Sequence, residues 1–226
     1  MSFVPLMVAM ARKALTDEQR RARRTTLLQA AQRLYRQTGQ LPTVSQIAET
    51  AGVAKGSVYL SFRTKEAIFI ALLEAGFDRL LDGFTPLLQA MPTEPVAAAR
   101  HIAPALSAYL EQQRELLSLA GMANAVLEQN LPLDEMLDFK RRLAQGLAEK
   151  GALLEQKAPI LQGRGAAFLL QVWGLCVGLW QALDAHPGLH ALRDEPDLAI
   201  LRHDFGTELR HALHALWLGA LTGRIS

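Results

Sequence analysis

No segment of this 226-residue chain limits its folding options as much as Thr43–Glu66, TVSQIAETAGVAKGSVYLSFRTKE. Its spacing is that of two short helices joined by a tight turn and handed on to a third. Thr43 followed three residues later by Gln46 has capping-box spacing, so the threonine oxygen can satisfy an orphan amide while the glutamine reaches back. Val44, Ile47, Ala48 and Ala51 recur at helical spacing. Gly52 then supplies a residue able to adopt the left-handed conformation that ends a helix and turns the chain, and Val53 is expected to point inward. From Ala54 a second helix is predicted to about Ser61. At about 100° per residue it places Lys55, Gly56, Tyr59 and Leu60 on one arc and Ala54, Val58 and Ser61 on the other.

A free arc that carries a cation, a glycine permitting close approach and a tyrosine suits a recognition helix in a DNA major groove. A plain helical corner has the same outline, so the detail decides. Ile47-Ala48, Gly52-Val53, Lys55-Gly56, Tyr59, Phe62 and Lys65-Glu66 stand in the order and spacing of the DNA-binding domain of the tetracycline-repressor (TetR) family. The chain resembles that family over about Leu27 to Phe69. The resemblance implies DNA contacts from Thr43, Lys55, Gly56, Ser57, Tyr59, Leu60 and Arg63, with Lys65 opening the long helix at a phosphate. Four positions depart from the family pattern. Ala54 replaces a capping Ser or Thr, Leu60 a second aromatic, Ser61 a histidine and Arg63 a proline. An operator sequence therefore does not transfer from any relative.

The charge distribution agrees. The net charge of +2 conceals a division: residues 1–65 hold 11 Lys and Arg against 3 Asp and Glu, a net +8, while residues 66–226 hold 13 against 19, a net −6. A basic head on an acidic body is the footprint of a small nucleic-acid-binding domain joined to a domain with another task. The expected domains are 1–65, a helix-turn-helix unit with its motif at about 43–62, and 66–226, an effector-binding and dimerisation unit.

The opening MSFVPLMVAM lacks the positive start of a signal peptide, because Arg12 and Lys13 follow its apolar run; it is expected to be an arm. Thr16 with Gln19 forms a second capping box. Leu27, Ala31, Leu34 and Tyr35 make the buried stripe of a first helix that ends near Gly39. Arg20, Arg21, Arg23 and Arg24 crowd its first two turns against the helix dipole, an arrangement that nearby phosphates would relieve. The single Cys176 excludes an internal disulfide and fits a reducing cytoplasm.

No strand pattern appears anywhere, so the fold expected is all-α: an N-terminal three-helix helix-turn-helix domain and a C-terminal helical bundle. A long helix should run from Thr64 to about Gln89, another should be kinked by Pro104, and further helices should span about Arg114–Asn130 and Leu133–Lys150, the last ended by Gly151. Residues 165–183, GAAFLLQVWGLCVGLWQAL, carry no charge over 19 positions. That length could span a bilayer. Gln171, Gln181, the absence of a second such segment and the lack of flanking positive charge beyond Arg164 favour a core or subunit interface instead, and no membrane is expected. The last helix is expected from near Pro196.

In the resembled family the last two long helices pair with those of a second subunit, and the helices between enclose a ligand cavity. The dimer residues this implies are Gly174, Gly178, Phe205, Leu209, Leu213 and Trp217. Pocket candidates come from polar or aromatic groups on apolar helix faces: Phe77, His101, Tyr109, Met122, Asn124 and Trp173. Such residues at helical spacing also simply fill cores, and the sequence leaves both readings open. Enzyme signals are weak. His211 and His214 lack a neighbouring carboxylate or cysteine, so no metal site is expected, and Ser57 has no nucleophile-elbow context. No catalytic residue and no cofactor are expected. The function these features support is a cytoplasmic, homodimeric DNA-binding repressor, released from a palindromic double-stranded operator by a small-molecule effector. The alternative is a helical interaction or ligand-binding module that does not bind DNA.

Overall fold

The computed structural model of the protein describes residues 16–123, 128–183, 196–197 and 203–223. The expected N-terminal arm and the pocket candidate Asn124 lie outside them. Among the described residues the chain is all helix and turn, with no strand. It divides into two compact units, Met1–Arg63 and Thr64–Ser226.

In the first unit, α1 (Asp17–Thr38), α2 (Val44–Thr50) and α3 (Lys55–Tyr59) pack around Leu27, Ala30, Ala31, Tyr35, Val44, Ile47, Ala48 and Val58. Both capping boxes form. Thr16 and Thr43 each accept from the backbone amide three residues on, while Gln19 and Gln46 reach back. Gly39 ends α1 at φ 65°, and Gly52 makes the interhelical turn at φ 66°. Ala54 stands at the start of α3 with no side-chain cap, and α3 closes at Tyr59, one turn-residue pair short of the Ser61 expected.

The second unit begins with α4 (Lys65–Ala90), capped by Thr64, whose Oγ1 accepts from the Ala67 amide at 3.1 Å. It continues through α5 (Pro95–Glu111), α6 (Arg114–Met122), α7 (Leu133–Lys157), α8 (Gly165–Leu183) and α9 (Phe205–Thr222). α4 runs through Pro86 and α5 through Pro104 without interruption. α6 stops at Met122 rather than near Asn130, where a separate 3-10 turn, Glu128–Asn130, stands. The last helix starts at Phe205, not near Pro196. Asp204 defines that start by accepting the Thr207 amide at 2.8 Å.

Gly151 does not end α7, which continues to Lys157. Its role is close approach: a Cβ there would lie 2.4 Å from the Ala166 nitrogen, and one on Gly165 would lie 2.3 Å from the Gly151 carbonyl oxygen. The pair lets α7 and the start of α8 touch backbone to backbone. Glu155 completes the junction, its Oε1 accepting the Gly165 amide at 2.8 Å. α8 is, among the described residues, the helix long and apolar enough by composition to cross a membrane; here it packs against α6, α7 and α9.

Candidate nucleic-acid interface and ligand cavity

In the first unit the turn at Gly52 and the burial of Val58 orient α3. With Val58 only 1% exposed, the opposite arc of the helix is turned outward: Lys55 and Gly56 are exposed, Tyr59 is 50% exposed and Leu60 78%. Large apolar groups this open have no packing function in the subunit, and together with a cation they form a surface able to meet base edges and thymine methyls. Gly56 sharpens the point. A Cβ there would meet nothing within 4 Å, and its φ is not positive, so the fold itself does not call for glycine. Ser57 is half-buried and Arg63 exposed. Thr43 is exposed too, but its hydroxyl donates to Gln46 Oε1 at 2.9 Å while accepting the Gln46 amide at 3.3 Å; its proton is committed to the cap. Lys65 is the first residue of α4, in the second unit, with its ammonium 5.9 Å from the Phe69 ring centroid.

The arginine cluster of α1 is largely engaged. Arg20 pairs with Asp17 at 3.8 Å, and Arg21 Nε donates to the Asp17 carbonyl at 3.4 Å. Arg24 donates to the Ser61 carbonyl and covers the Phe62 ring. First-turn acids and carbonyls thus relieve the crowding of like charges.

The second unit holds a cavity enclosing about 590 Å³ of empty space, open mouth included. Phe77, Leu80, Leu81 and Phe84 of α4 form one side, Leu106 and Leu110 of α5 and Leu143 and Leu147 of α7 the next, and Leu169, Leu170, Val172, Trp173 and Cys176 of α8 the last. Among the described residues every lining side chain is apolar or a thiol. Phe77 and Trp173, both expected here, meet edge to face at 4.8 Å between ring centroids. Burial pushes the Cys176 thiol up to about 12, so it lines the cavity as an uncharged group.

Three other pocket candidates are corrected. His101 is exposed, on the side of α5 opposite buried Ile102 and Ala103. Tyr109 is a strut rather than a lining group: its hydroxyl donates to the Arg79 carbonyl at 2.9 Å and approaches that of Leu80 at 3.4 Å. Burial raises its pKa. The hydroxyl fits only because residue 83 is glycine, since a Cβ at Gly83 would lie 2.1 Å from it. Met122 is half-buried at the end of α6 and away from the lining. The leucines that do form the cavity were not separable in sequence, because a leucine facing a void and one facing a neighbour share the same periodicity.

The dimer candidates divide in two. Gly174 and Gly178 are exposed, with nothing within 4 Å of an added Cβ. Phe205, Leu209, Leu213 and Trp217 are a correction: they are at most 4% exposed and form the subunit's own core. α9 packs most extensively on α5, with Trp217 edge-on to Phe168 and Phe205 edge-on to Trp180.

Comparison with known proteins agrees with this layout. Residues 27–72 match the family model for bacterial regulatory proteins of the tetR family, and residues 74–224 match the tetracyclin repressor-like C-terminal domain. The uncharacterized HTH-type transcriptional regulator YfiR of Bacillus subtilis (strain 168) is 28% identical over 102 residues, 45% of each chain; the match thus spans under half of that relative's length. Among solved structures, the fatty acid degradation regulator FadR from Bacillus halodurans is 18% identical, with 88% of this chain and 96% of that one covered at a TM-score of 0.53. The transcriptional regulator FadR from Bacillus subtilis, in complex with stearoyl-CoA, is 17% identical, with 87% and 98% covered at 0.52. At that identity the likeness is one of fold.

Proposed function

The chain belongs to the tetR family of bacterial DNA-binding transcriptional regulators, and from that premise we propose that it is a cytoplasmic homodimeric repressor that leaves its operator when a small molecule fills the cavity of the second unit. It is a regulator and not an enzyme. The observation that carries the DNA-facing half is the outward arc of α3, where Lys55, Gly56, Tyr59 and Leu60 stand exposed with no role in the subunit's packing. The effector half is supported by the cavity's lining, which is apolar and aromatic as is usual for small-molecule sites. An apolar molecule suits its lining; the FadR of Bacillus subtilis, with stearoyl-CoA, offers a precedent in a similar fold.

For the dimer we favour the outer face of α8. Ala167, Gln171, Gly174 and Gly178 recur there at helical spacing, all exposed and uncharged. The glycines have no internal reason to be glycine, and small residues let a second helix approach closely. Two recognition helices in such a dimer must stand about 34 Å apart to enter successive major grooves.

Release follows from linkage. An effector that binds the DNA-free conformation better weakens DNA binding by the same factor that DNA weakens effector binding, typically about 5- to 150-fold. The experiment is a fluorescence-anisotropy titration of duplex DNA at two salt concentrations, with and without a ligand shown to occupy the cavity. The proposal expects affinity that falls steeply with salt and falls again with ligand. Equal affinity at ligand saturation would reject the allosteric part. Salt-insensitive or absent DNA binding would favour the module that does not bind DNA.

A further inference from the structure

Resting on the reading of the cavity as an effector site, we propose that the effector is a single-chain amphiphile with one negative charge, an alkyl carboxylate, whose chain fills the cavity and whose head is held by the ammonium of Lys150. Ligand sites normally orient their ligands with a few placed polar groups. Among the described residues this lining has none, which directs the search for the polar contact to the ends of the cavity.

Three contacts between α4 and α7 order those ends. Arg142 pairs with Glu74, Leu81 lies against Gly146, and Lys150 Nζ donates to Thr85 Oγ1 at 2.9 Å. The lining residues Leu81, Leu143 and Leu147 fall between the first contact and the third. At the first end the cation is already neutralised by a carboxylate. At the other end Lys150 is half-buried, and among the described residues its partner is a neutral hydroxyl.

That hydroxyl gives its own hydrogen to the Leu81 carbonyl at 3.2 Å, so it accepts from Lys150 and leaves the ammonium two further donors. Lys150 lies three residues beyond Leu147, on the same face of α7 that lines the cavity. Lys150 is half-buried as a residue and among the described residues pairs with no carboxylate, so a ligand carboxylate would supply the counter-ion this end of the cavity lacks. Lys157, two turns on, differs: it donates to the Gln89 carbonyl at 3.0 Å, near the end of α4, where a cation meets the helix dipole. Lys157 is matched by a carbonyl at the negative end of a helix, whereas Lys150, among the described residues, meets only a neutral hydroxyl. One unmatched cation calls for one negative charge, which a carboxylate supplies and a nucleotide polyphosphate exceeds.

The test is isothermal titration of the full chain with dodecanoate, dodecan-1-ol and dodecanoyl-CoA, each below its micelle concentration, for the wild type, Lys150→Gln and Lys150→Arg. Dodecanoate should bind about tenfold or more tighter than dodecan-1-ol, the size expected of one hydrogen bond to a charged group. Lys150→Gln should abolish that preference while leaving dodecan-1-ol binding unchanged, which also shows that the variant is folded. Lys150→Arg should restore part of it. A carboxylate preference that survives Lys150→Gln, or equal binding of acid and alcohol to the wild type, would overturn the head-group assignment and leave the cavity as an effector site. Tighter binding of dodecanoyl-CoA than of dodecanoate would overturn the single charge. Failure of all three probes to bind would overturn the effector cavity itself, and this inference with it.

Discussion

The guanidinium carbon of Arg24 stands 4.1 Å from the centroid of the Phe62 ring, and Arg24 Nη1 donates to the neighbouring Ser61 carbonyl at 3.1 Å. An arginine from a cluster that looked suited to phosphates thus fastens α1 to the segment that follows α3. Arg24→Ala should lower stability to denaturant by about 1–2 kcal/mol, the roughly 2–4 kcal/mol sum of a cation–π contact and a charged hydrogen bond discounted for the exposure of the arginine. Arg24→Lys should recover little, because an ammonium cannot stack as a planar guanidinium does. If Arg24→Ala instead left stability unchanged and flattened the salt dependence of DNA binding by about one unit, Arg24 would belong to the phosphates after all.

Gly56 separates the demands of folding from those of binding. Because an added Cβ meets nothing in the subunit, Gly56→Ala should leave stability unchanged or raise it, by up to about 1 kcal/mol from helix propensity. DNA affinity should fall, since the methyl stands on the face that approaches the duplex. Thermal melts and anisotropy on the same sample would show this. Tyr59→Ala, on the same arc, should weaken selected operator DNA more than random duplex.

Gly151→Ala should act in the opposite sense. Its Cβ would collide with backbone, the Ala166 nitrogen 2.4 Å away, and backbone yields less readily than a side chain. A loss of about 1–3 kcal/mol or more is expected in denaturant titration, with DNA affinity per folded molecule retained. Wild-type stability would show that α7 and α8 do not meet as closely as described.

How legible these features were depended on the range of the interaction. The capping boxes at Thr16 and Thr43 and the turn at Gly52 involve residues at most a few positions apart, and sequence spacing displays them directly. Gly151 could not be placed that way, since a glycine after an amphipathic run marks a helix stop as well as a helix contact, and only the position of Gly165 in space decides. The stripe Phe205, Leu209, Leu213, Trp217 was visible, but not its partner. α5 covers it within the subunit, whereas Gly174 and Gly178, on a less conspicuous face of α8, stand exposed. For the cavity, Phe77 and Trp173 stood out as aromatics, while Leu143 and Leu147 carried no mark of facing a void.

Cys176 offers a probe of the second unit. Its pKa, raised by burial from 9.0 to about 12, lowers the thiolate fraction near neutral pH by on the order of a thousandfold, three pKa units, and the thiolate is the reactive form. Reaction with an aromatic disulfide reagent at pH 8 should therefore be slower by at least that factor in the native protein than in denaturant. The sign is fixed: a raised pKa keeps the group neutral below about pH 12. Fast native labelling would mean that the cavity wall at α8 opens readily.

Two copies of this chain are proposed to read DNA through α3, and selection from a pool of random duplexes by the 226-residue chain decides whether they do. After several rounds the retained sequences should converge on an inverted repeat whose half-site centres lie about 34 Å, one helical turn, or a whole multiple of it apart. Tyr59→Ala should lose that enrichment. A pool that stays random, or converges on a site without two-fold symmetry, would contradict the account.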